Sequence, residues 1–188
     1  MRYFLTILFL GASQLWGTGS QALFSSFVSP VFVETGTWMG EGVEQALKAG
    51  YPKVLTIELH EGHFKRARRK FKHDRRVRVF LGDSSEHLYE MIKHETTRMT
   101  FWLDGHYSGV STALGSKSSP ILEELRQIAM HPIKTHTILI DDVRQMGTKE
   151  FDYVTLEQIK EAVLQINPNY KFSLHDGHQK NDILACHI

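Results

Sequence analysis

The most informative stretch of the sequence runs from Val31 to Gly40 and reads VFVETGTWMG. Three consecutive apolar residues precede an acid and a glycine, a pattern typical of a buried strand that ends in a tight turn. The residues from Gly42 to Ala49 (GVEQALKA) then follow helical spacing, and Gly50 and Pro52 end the helix. The stretch therefore predicts a strand–turn–helix unit.

The alternation of strand and helix continues along the chain. Further apolar runs, each followed by a helical pattern, span Val54–Leu59, Val77–Leu81, Met99–Leu103 and Thr137–Ile140. The last two predicted strands, Tyr170–Leu174 and Asp182–Ile188, have no helix between them, which predicts an antiparallel hairpin. Because alternating β–α units favour parallel strands covered by helices on both faces, we predict a doubly wound α/β domain. Its seven-stranded sheet is mostly parallel and ends in the hairpin.

The composition fits a single globular domain. Of the 188 residues, 41% are hydrophobic and 23% are charged. The formal net charge of +1 gives no overall field that would draw the chain onto nucleic acid. The basic residues between Lys65 and Arg78 are interpreted as the solvated face of a helix rather than a nucleic-acid surface. The single cysteine, Cys186, excludes an intramolecular disulfide and a multi-cysteine zinc site.

The N-terminal 22 residues differ from the rest. Met1-Arg2 precedes the apolar run YFLTILFL, which is followed by small and polar residues up to Ala22. This order is typical of a secretory signal, and the apolar run is shorter than the ~20 residues that span a bilayer. We therefore expect residues 1–22 to be a signal-like or membrane-associated segment and residues 23–188 to form the domain. A buried N-terminal helix in a cytoplasmic protein is the alternative.

An acidic residue closes each of the first five predicted strands. Since the carboxyl ends of parallel strands meet at one edge of a sheet, where ligands bind, these side chains should lie together. Turn and capping preferences account for about two or three of them, so five indicate a binding site. The acids are Glu34, Glu58, Asp83, Asp104 and the pair Asp141-Asp142.

The first turn indicates what kind of ligand this edge would bind. Gly36 and Gly40 lack a Cβ, which lets a ligand approach the backbone. Glu58 follows Gly36 at a distance where an acid can hold the hydroxyls of a ribose. Glu34 places negative charge where a pyrophosphate would sit. The pattern therefore favours a cationic or neutral nucleoside over a dinucleotide.

In this order, the motifs resemble those of the class I S-adenosylmethionine-dependent methyltransferases. The resemblance is strongest to the metal-dependent O-methyltransferases of the catechol and macrocin type, and it covers residues 31–188. It implies the Rossmann-like methyltransferase fold with S-adenosylmethionine as cofactor. The implied cofactor contacts are Glu34, Thr35, Gly36, Gly40, Glu58, Asp83, Ser84 and Asp104.

The resemblance also implies a divalent metal, Mg²⁺, held by Asp104, Asp141 and Asp142. Neighbouring carboxylates repel one another unless they are protonated or neutralised, and Mg²⁺ takes a few carboxylates while keeping waters for substrate oxygens. In the alternative, Asp141 caps a turn and Asp142 is solvated.

His106 is the candidate general base beside Asp104. Catechol-type relatives have a lysine where this chain has Tyr107, so a lysine base is not carried over.

Three functions follow from these observations. The first is Mg²⁺-assisted, S-adenosylmethionine-dependent O-methylation of a small polar hydroxyl compound, with no nucleic-acid partner. The second is a metal-independent methyltransferase, for instance on RNA, which would use the Lys65–Arg78 stretch to contact phosphates. The third is a noncatalytic member of the fold, which the export-like N-terminus suggests because S-adenosylmethionine is made in the cytosol.

Overall fold

A seven-stranded mixed sheet forms the centre of the protein. The computed structural model describes residues 19–105 and 118–188. The strands are β1 (Val31–Thr35), β2 (Val54–Glu58), β3 (Val77–Leu81), β4 (Met99–Leu103), β5 (Thr137–Ile140), β6 (Lys171–His175) and β7 (Ile183–His187). Their order in the sheet is β3-β2-β1-β4-β5-β7-β6. The first five strands are parallel, and β7 is antiparallel to both β5 and β6. The predicted fold class is confirmed.

Helices precede β1, connect the parallel strands and lie between β5 and β6. They are α1 (Gln21–Ser25), α2 (Glu41–Ala49), α3 (Glu61–Lys70), α4 (Ser84–Ile92), α5 (Ile121–Met130) and α6 (Leu156–Ile166). Two short 3-10 turns, Val143–Gln145 and Lys149–Phe151, follow β5. At the start of α6, the Thr155 and Gln158 side chains each accept a hydrogen bond from the other residue's backbone N–H, as the sequence predicted.

Two apolar layers cover the faces of the sheet. One layer joins the sheet to α4, α5 and α6, and the other joins it to α1, α2 and α3. Side chains of β1 alternate between them: Val31 and Val33 belong to the first layer, and Phe32 belongs to the second. By the same alternation, Glu34 points towards the α2 layer and Thr35 towards the α4–α5 layer.

Helix α1 packs on the domain although it begins inside the segment 1–22. The Ser20 hydroxyl caps it by accepting a hydrogen bond from the backbone N–H of Leu23 (3.1 Å). Tyr51 donates from its hydroxyl to the carbonyl oxygens of Phe24 (3.1 Å) and Phe27 (2.9 Å). Residues 1–18 lie outside the described residues, so the signal-like segment stays a prediction. No helix of the described part of the chain is long and apolar enough to span a membrane.

Candidate functional site

The carboxyl ends of the parallel strands lie at one edge of the sheet, and the ends of β1 and β4 border the crevice that this strand order predicts. The chain adds β2 and β3 on one side of β1 and then β4 and β5 on the other, so this crevice is the topological switch point where ligands bind in such sheets. Gly36 lines it with a φ of 80°, and a Cβ there would lie 2.4 Å from the carbonyl oxygen of Asp104. A glycine is therefore required for β1 and β4 to approach each other here.

Glu34 lies beneath the first turn rather than in open solvent. The hydroxyl of Thr56 on β2 donates to its Oε2 (2.6 Å), and the hydroxyls of Thr56 and Thr37 are 2.5 Å apart. On the other side, a Cβ on Gly42 of α2 would lie 2.0 Å from Glu34 Oε1. Burial raises the pKa of Glu34 to about 8. Its carboxyl group thus joins β1, β2 and α2, while its predicted contact with a cofactor stays a prediction.

Glu58 fixes the first turn to the end of β2. Its Oε2 accepts a hydrogen bond from the backbone N–H of Trp38, and its Oε1 accepts one from that of His60, both at 2.7 Å. Trp38 has a φ of 43°, a left-handed conformation that is unusual for a bulky residue. Since each carboxylate oxygen has a second lone pair, Glu58 can accept further hydrogen bonds.

The predicted cofactor residues Gly40, Asp83 and Ser84 all lie at helix starts. Gly40 is the N-cap of α2 and has a φ of 79°, and a Cβ there would meet the Phe71 ring at 2.7 Å. Asp83 caps α4 by accepting a hydrogen bond from the backbone N–H of Ser85 (2.9 Å). Ser84 is the first residue of α4 and is buried. The fold thus brings these residues to the same edge as Gly36 and Glu58.

Asp104, Asp141 and Asp142 form a cluster beside the crevice. One carboxylate oxygen of each lies within 4.8 Å of those of the other two. Burial raises the pKa of Asp141 to about 8 and that of Asp104 well above its usual range, and the neighbouring negative charges act in the same direction. Converging carboxylates with surplus negative charge suit a hard divalent cation. The geometry therefore fits the predicted metal ligands.

A resident cation also contacts this cluster. Arg144 forms ion pairs with Asp142 and with the fully buried Asp182. Its backbone N–H also donates to Asp182 Oδ1 (3.0 Å). Asp142 itself has a φ of 60°, and its N–H donates to Asp141 Oδ1 (2.8 Å). Arg144 thus offsets part of the negative charge.

Sequence reasoning missed Glu124, which lies under the crevice in the first turn of α5. Its side chain is 1% exposed, and burial raises its pKa to about 7 against the effect of hydrogen bonds with Ser84 and Thr35. The sequence contained one indication that Glu124 is buried. It lies three residues after Ile121 and directly before Leu125, on the buried face of α5. A first-turn acid is normally ascribed to the helix dipole instead.

The candidate base His106 and its neighbour Tyr107 lie outside the described residues. Their assignment stays a prediction.

Comparison with known proteins places the chain by fold alone. No model of a known protein family matches it, and no curated protein sequence matches it. Among solved structures, it is similar to an O-methyltransferase from Bacillus cereus in complex with S-adenosylhomocysteine. The two chains are 15% identical, the match covers 89% of this chain and 78% of that chain, and the TM-score is 0.57. It is also similar to an O-methyltransferase from Streptomyces achromogenes involved in tomaymycin synthesis, in complex with S-adenosylmethionine, with 14% identity, coverage of 89% and 77%, and a TM-score of 0.58.

A third similar structure is the spermidine synthase from Thermotoga maritima, with 11% identity, coverage of 88% of this chain and 55% of that chain, and a TM-score of 0.57. At these identities the likeness shows the fold. The chain has the class I S-adenosylmethionine-dependent methyltransferase fold, as the resemblance implied. The spermidine synthase has a different activity by name, so the fold does not by itself fix the reaction.

Proposed function

We propose that this protein is an S-adenosylmethionine-dependent methyltransferase that binds its cofactor in the crevice at the carboxyl ends of β1, β2 and β4. The observation that carries the proposal is the position of Glu58. Two backbone N–H groups hold its carboxylate at the end of β2, on the side of β1 opposite to β4. Similar folds bind S-adenosylmethionine and S-adenosylhomocysteine in the named structures.

Each residue of the crevice has a physical role in this proposal. Glu58 accepts hydrogen bonds from the ribose hydroxyls with its remaining lone pairs. Gly36 allows the ligand to approach the backbone between β1 and β4, and Asp83 with Ser84 forms the border at α4. When bound, S-adenosylmethionine supplies a methyl group on a positively charged sulfur. The acidic edge attracts such a cation and repels a pyrophosphate.

We further propose that the methyl acceptor is a hydroxyl oxygen of a small polar compound, with Mg²⁺ held by Asp104, Asp141 and Asp142. A bound Mg²⁺ would act as a Lewis acid that lowers the pKa of the acceptor hydroxyl. The support is the charge of the cluster, where burial and mutual repulsion raise the pKa of Asp104 and Asp141. His106 is the proposed base for the hydroxyl proton.

One observation favours a metal-independent methyltransferase as the second candidate. Arg144 is already paired with Asp142, so a resident guanidinium supplies positive charge where the first candidate requires a metal. Because Arg144 also pairs with the buried Asp182, it is anchored beside the cluster.

The assignment of Glu58 is tested with the Glu58→Ala variant. Two hydrogen bonds to a charged group are each worth about 1.5–3 kcal/mol, so we expect the variant to bind S-adenosylhomocysteine at least about tenfold more weakly in calorimetric titration. Glu61→Ala is the matched control, because Glu61 is exposed on α3 and pairs only with Lys65 among the ion pairs of the described residues. Unchanged affinity in a folded Glu58→Ala variant would contradict the assignment.

A further inference from the structure

Two buried polar atoms at the start of α5 lack hydrogen-bond partners. Within residues 19–105 and 118–188, no partner reaches Oε1 of Glu124 or the hydroxyl of Ser119. Their residues are 1% and 3% exposed. Nearly all buried polar groups in folded proteins are hydrogen-bonded, because burying one without a partner is costly. The start of α5 therefore holds two buried polar atoms whose hydrogen-bonding capacity the described residues do not use.

The unpartnered oxygen of Glu124 points towards the crevice. A Cβ on Gly105, directly after β4, would lie 3.1 Å from Glu124 Oε1 and 3.2 Å from Thr35 Oγ1. Thr35 Oγ1 in turn accepts a hydrogen bond from the backbone N–H of Asp104 (3.3 Å). The carboxyl group is thus enclosed by the ends of β1 and β4 and the start of α4, where the proposed cofactor residues lie.

We infer that Glu124 is a ligand-binding residue of this site and that its Oε1 accepts a hydrogen bond from an N–H group of the bound molecule. This inference rests on the proposed function, since S-adenosylmethionine carries two such donors, the 6-amino group of adenine and the α-ammonium group. A carboxyl group that has lost its proton offers acceptors alone, and a cationic N–H donor beside it favours that ionised form. A negatively charged ligand group at this position would be repelled instead.

The Glu124→Gln variant tests the inference because it changes the hydrogen-bonding character of one position. The Ser84 and Thr35 side chains act to lower the pKa of the carboxyl group, and their hydroxyls can donate to the amide oxygen of the variant. The amide nitrogen of the glutamine then occupies the place of Oε1. Because this nitrogen donates where the carboxylate oxygen accepted, the N–H group of the ligand loses its acceptor. We expect at least about tenfold weaker binding of S-adenosylhomocysteine in calorimetric titration, as for one charge-assisted hydrogen bond. Glu157→Gln is the matched control, because Glu157 is an exposed acid in the first turn of α6.

A second ligand distinguishes the two donors. 5′-Methylthioadenosine retains the 6-amino group and lacks the α-ammonium group. If Glu124 binds the adenine amine, Glu124→Gln weakens both ligands by the same factor. If it binds the α-ammonium group, the variant weakens S-adenosylhomocysteine and leaves the affinity for 5′-methylthioadenosine unchanged.

The outcomes separate this inference from the proposed function. If the wild-type protein binds S-adenosylhomocysteine and Glu124→Gln binds it equally well, the inference is overturned and the proposed function stands. If the folded wild-type protein does not bind it, both fall. A purely structural role would lower the melting temperature of Glu124→Gln without weakening binding, which also overturns the inference. Should that variant not fold, Glu124→Asp, which withdraws the carboxylate by one methylene group, is expected to show the loss of affinity.

Discussion

Glu34 and Glu58 end neighbouring strands, yet the fold surrounds their carboxyl groups differently. Glu58 accepts two hydrogen bonds from backbone N–H groups, whereas Glu34 accepts one from the Thr56 hydroxyl and otherwise lies against α2. Backbone N–H groups are the kind of donor that stabilises an ionised carboxylate. Glu58 is thus held where its remaining lone pairs can accept hydrogen bonds from a ligand, and Glu34, whose pKa is raised by burial, is suited to support the turn in its neutral form.

The different state of Glu34 leads to a pH-dependent prediction. Burial raises its pKa from 4.5 to about 8, so the folded protein binds a proton that the unfolded chain has lost. Stability is therefore lost progressively as the pH rises from 4.5 to about 8, and the loss is constant above that. Glu34→Gln removes this titration. Relative to wild type, its free energy of unfolding should rise by roughly 1.4 kcal/mol for each pH unit between pH 5 and pH 8 and then level off. Its melting temperature should rise relative to wild type over the same interval.

Thermal melting at pH 5, 7 and 9 provides the measurement. The control is Glu86→Gln, since Glu86 is an exposed acid of α4. A difference between Glu34→Gln and wild type that does not vary with pH would mean that Glu34 is ionised in the fold.

The aspartate cluster gives the second prediction at the residue scale. If Asp104, Asp141 and Asp142 hold a cation, millimolar Mg²⁺ should raise the melting temperature of the wild-type protein over that in EDTA by mass action. Asp141→Asn relieves repulsion in the metal-free cluster, so it should melt higher than wild type in EDTA and lose most of the Mg²⁺-dependent rise. Asp74→Asn, which removes an acid paired with Arg76 outside the cluster, should keep it. No rise in the wild-type protein would favour the metal-independent candidate.

The sequence alone did not decide whether the start of α1 belongs to a signal-like segment or to the folded domain. Phe24 of α1 is fully buried and packs against Phe32 (ring centroids 4.8 Å apart) and Trp102 (5.2 Å). The first residues of α1, Gln21 and Ala22, and its cap Ser20 belong to the segment predicted to be signal-like. Cleavage after Ala22 would leave Phe24 in the chain but remove the cap.

The packing of α1 predicts the effect of truncating its central side chain. Phe24→Ala should cost about 3–5 kcal/mol because it leaves a cavity between α1 and the sheet, which corresponds to a melting temperature roughly 10 °C lower for a chain of this size. Val28→Ala, at a residue 42% exposed a few positions further on, should change it by no more than about a degree. A change for Phe24→Ala as small as that expected for Val28→Ala would contradict a contribution of α1 to the core.

The elements also show why parts of the site could be predicted. Hydrophobic runs and turn residues are local, so the strands and the acids at their ends were visible in the sequence. The sequence pattern ended the apolar run at Val33, whereas β1 extends to Thr35, because Glu34 and Thr35 pair with strands on both sides. The support of Glu34 by Gly42 and the position of Glu124 under Gly105 depend on how helices pack on the sheet, which local patterns do not contain.

At the scale of the molecule, the two edges of the sheet differ in how their polar groups are satisfied. At the amino end of β4, the buried His131 and His136 share a hydrogen bond of 3.0 Å, and His136 Nδ1 accepts one from the backbone N–H of Met99 (3.1 Å). Burial lowers the pKa of His136 to about 3, so this ring is neutral, and its two nitrogens find their partners within the protein. At the carboxyl edge, carboxylates outnumber the arginine that contacts them, and Glu124 has an unpartnered oxygen among the described residues.

Because polar groups are less well satisfied at the carboxyl edge of the sheet than at its amino edge, we expect a ligand to bind at the carboxyl edge. Buried acids that repel one another and an unsatisfied acceptor reduce the stability of the fold. A cationic ligand with N–H and O–H donors would offset that cost, whereas a dinucleotide would add phosphate charges to it.

Calorimetric titration of the folded wild-type protein with S-adenosylhomocysteine and, in parallel, with NAD⁺ tests this conclusion. We expect one molecule of S-adenosylhomocysteine to bind per chain and NAD⁺ to give no binding heat at the same concentrations. Absence of S-adenosylhomocysteine binding up to millimolar concentration, or tighter binding of NAD⁺, would contradict the assignment of the crevice as an S-adenosylmethionine site.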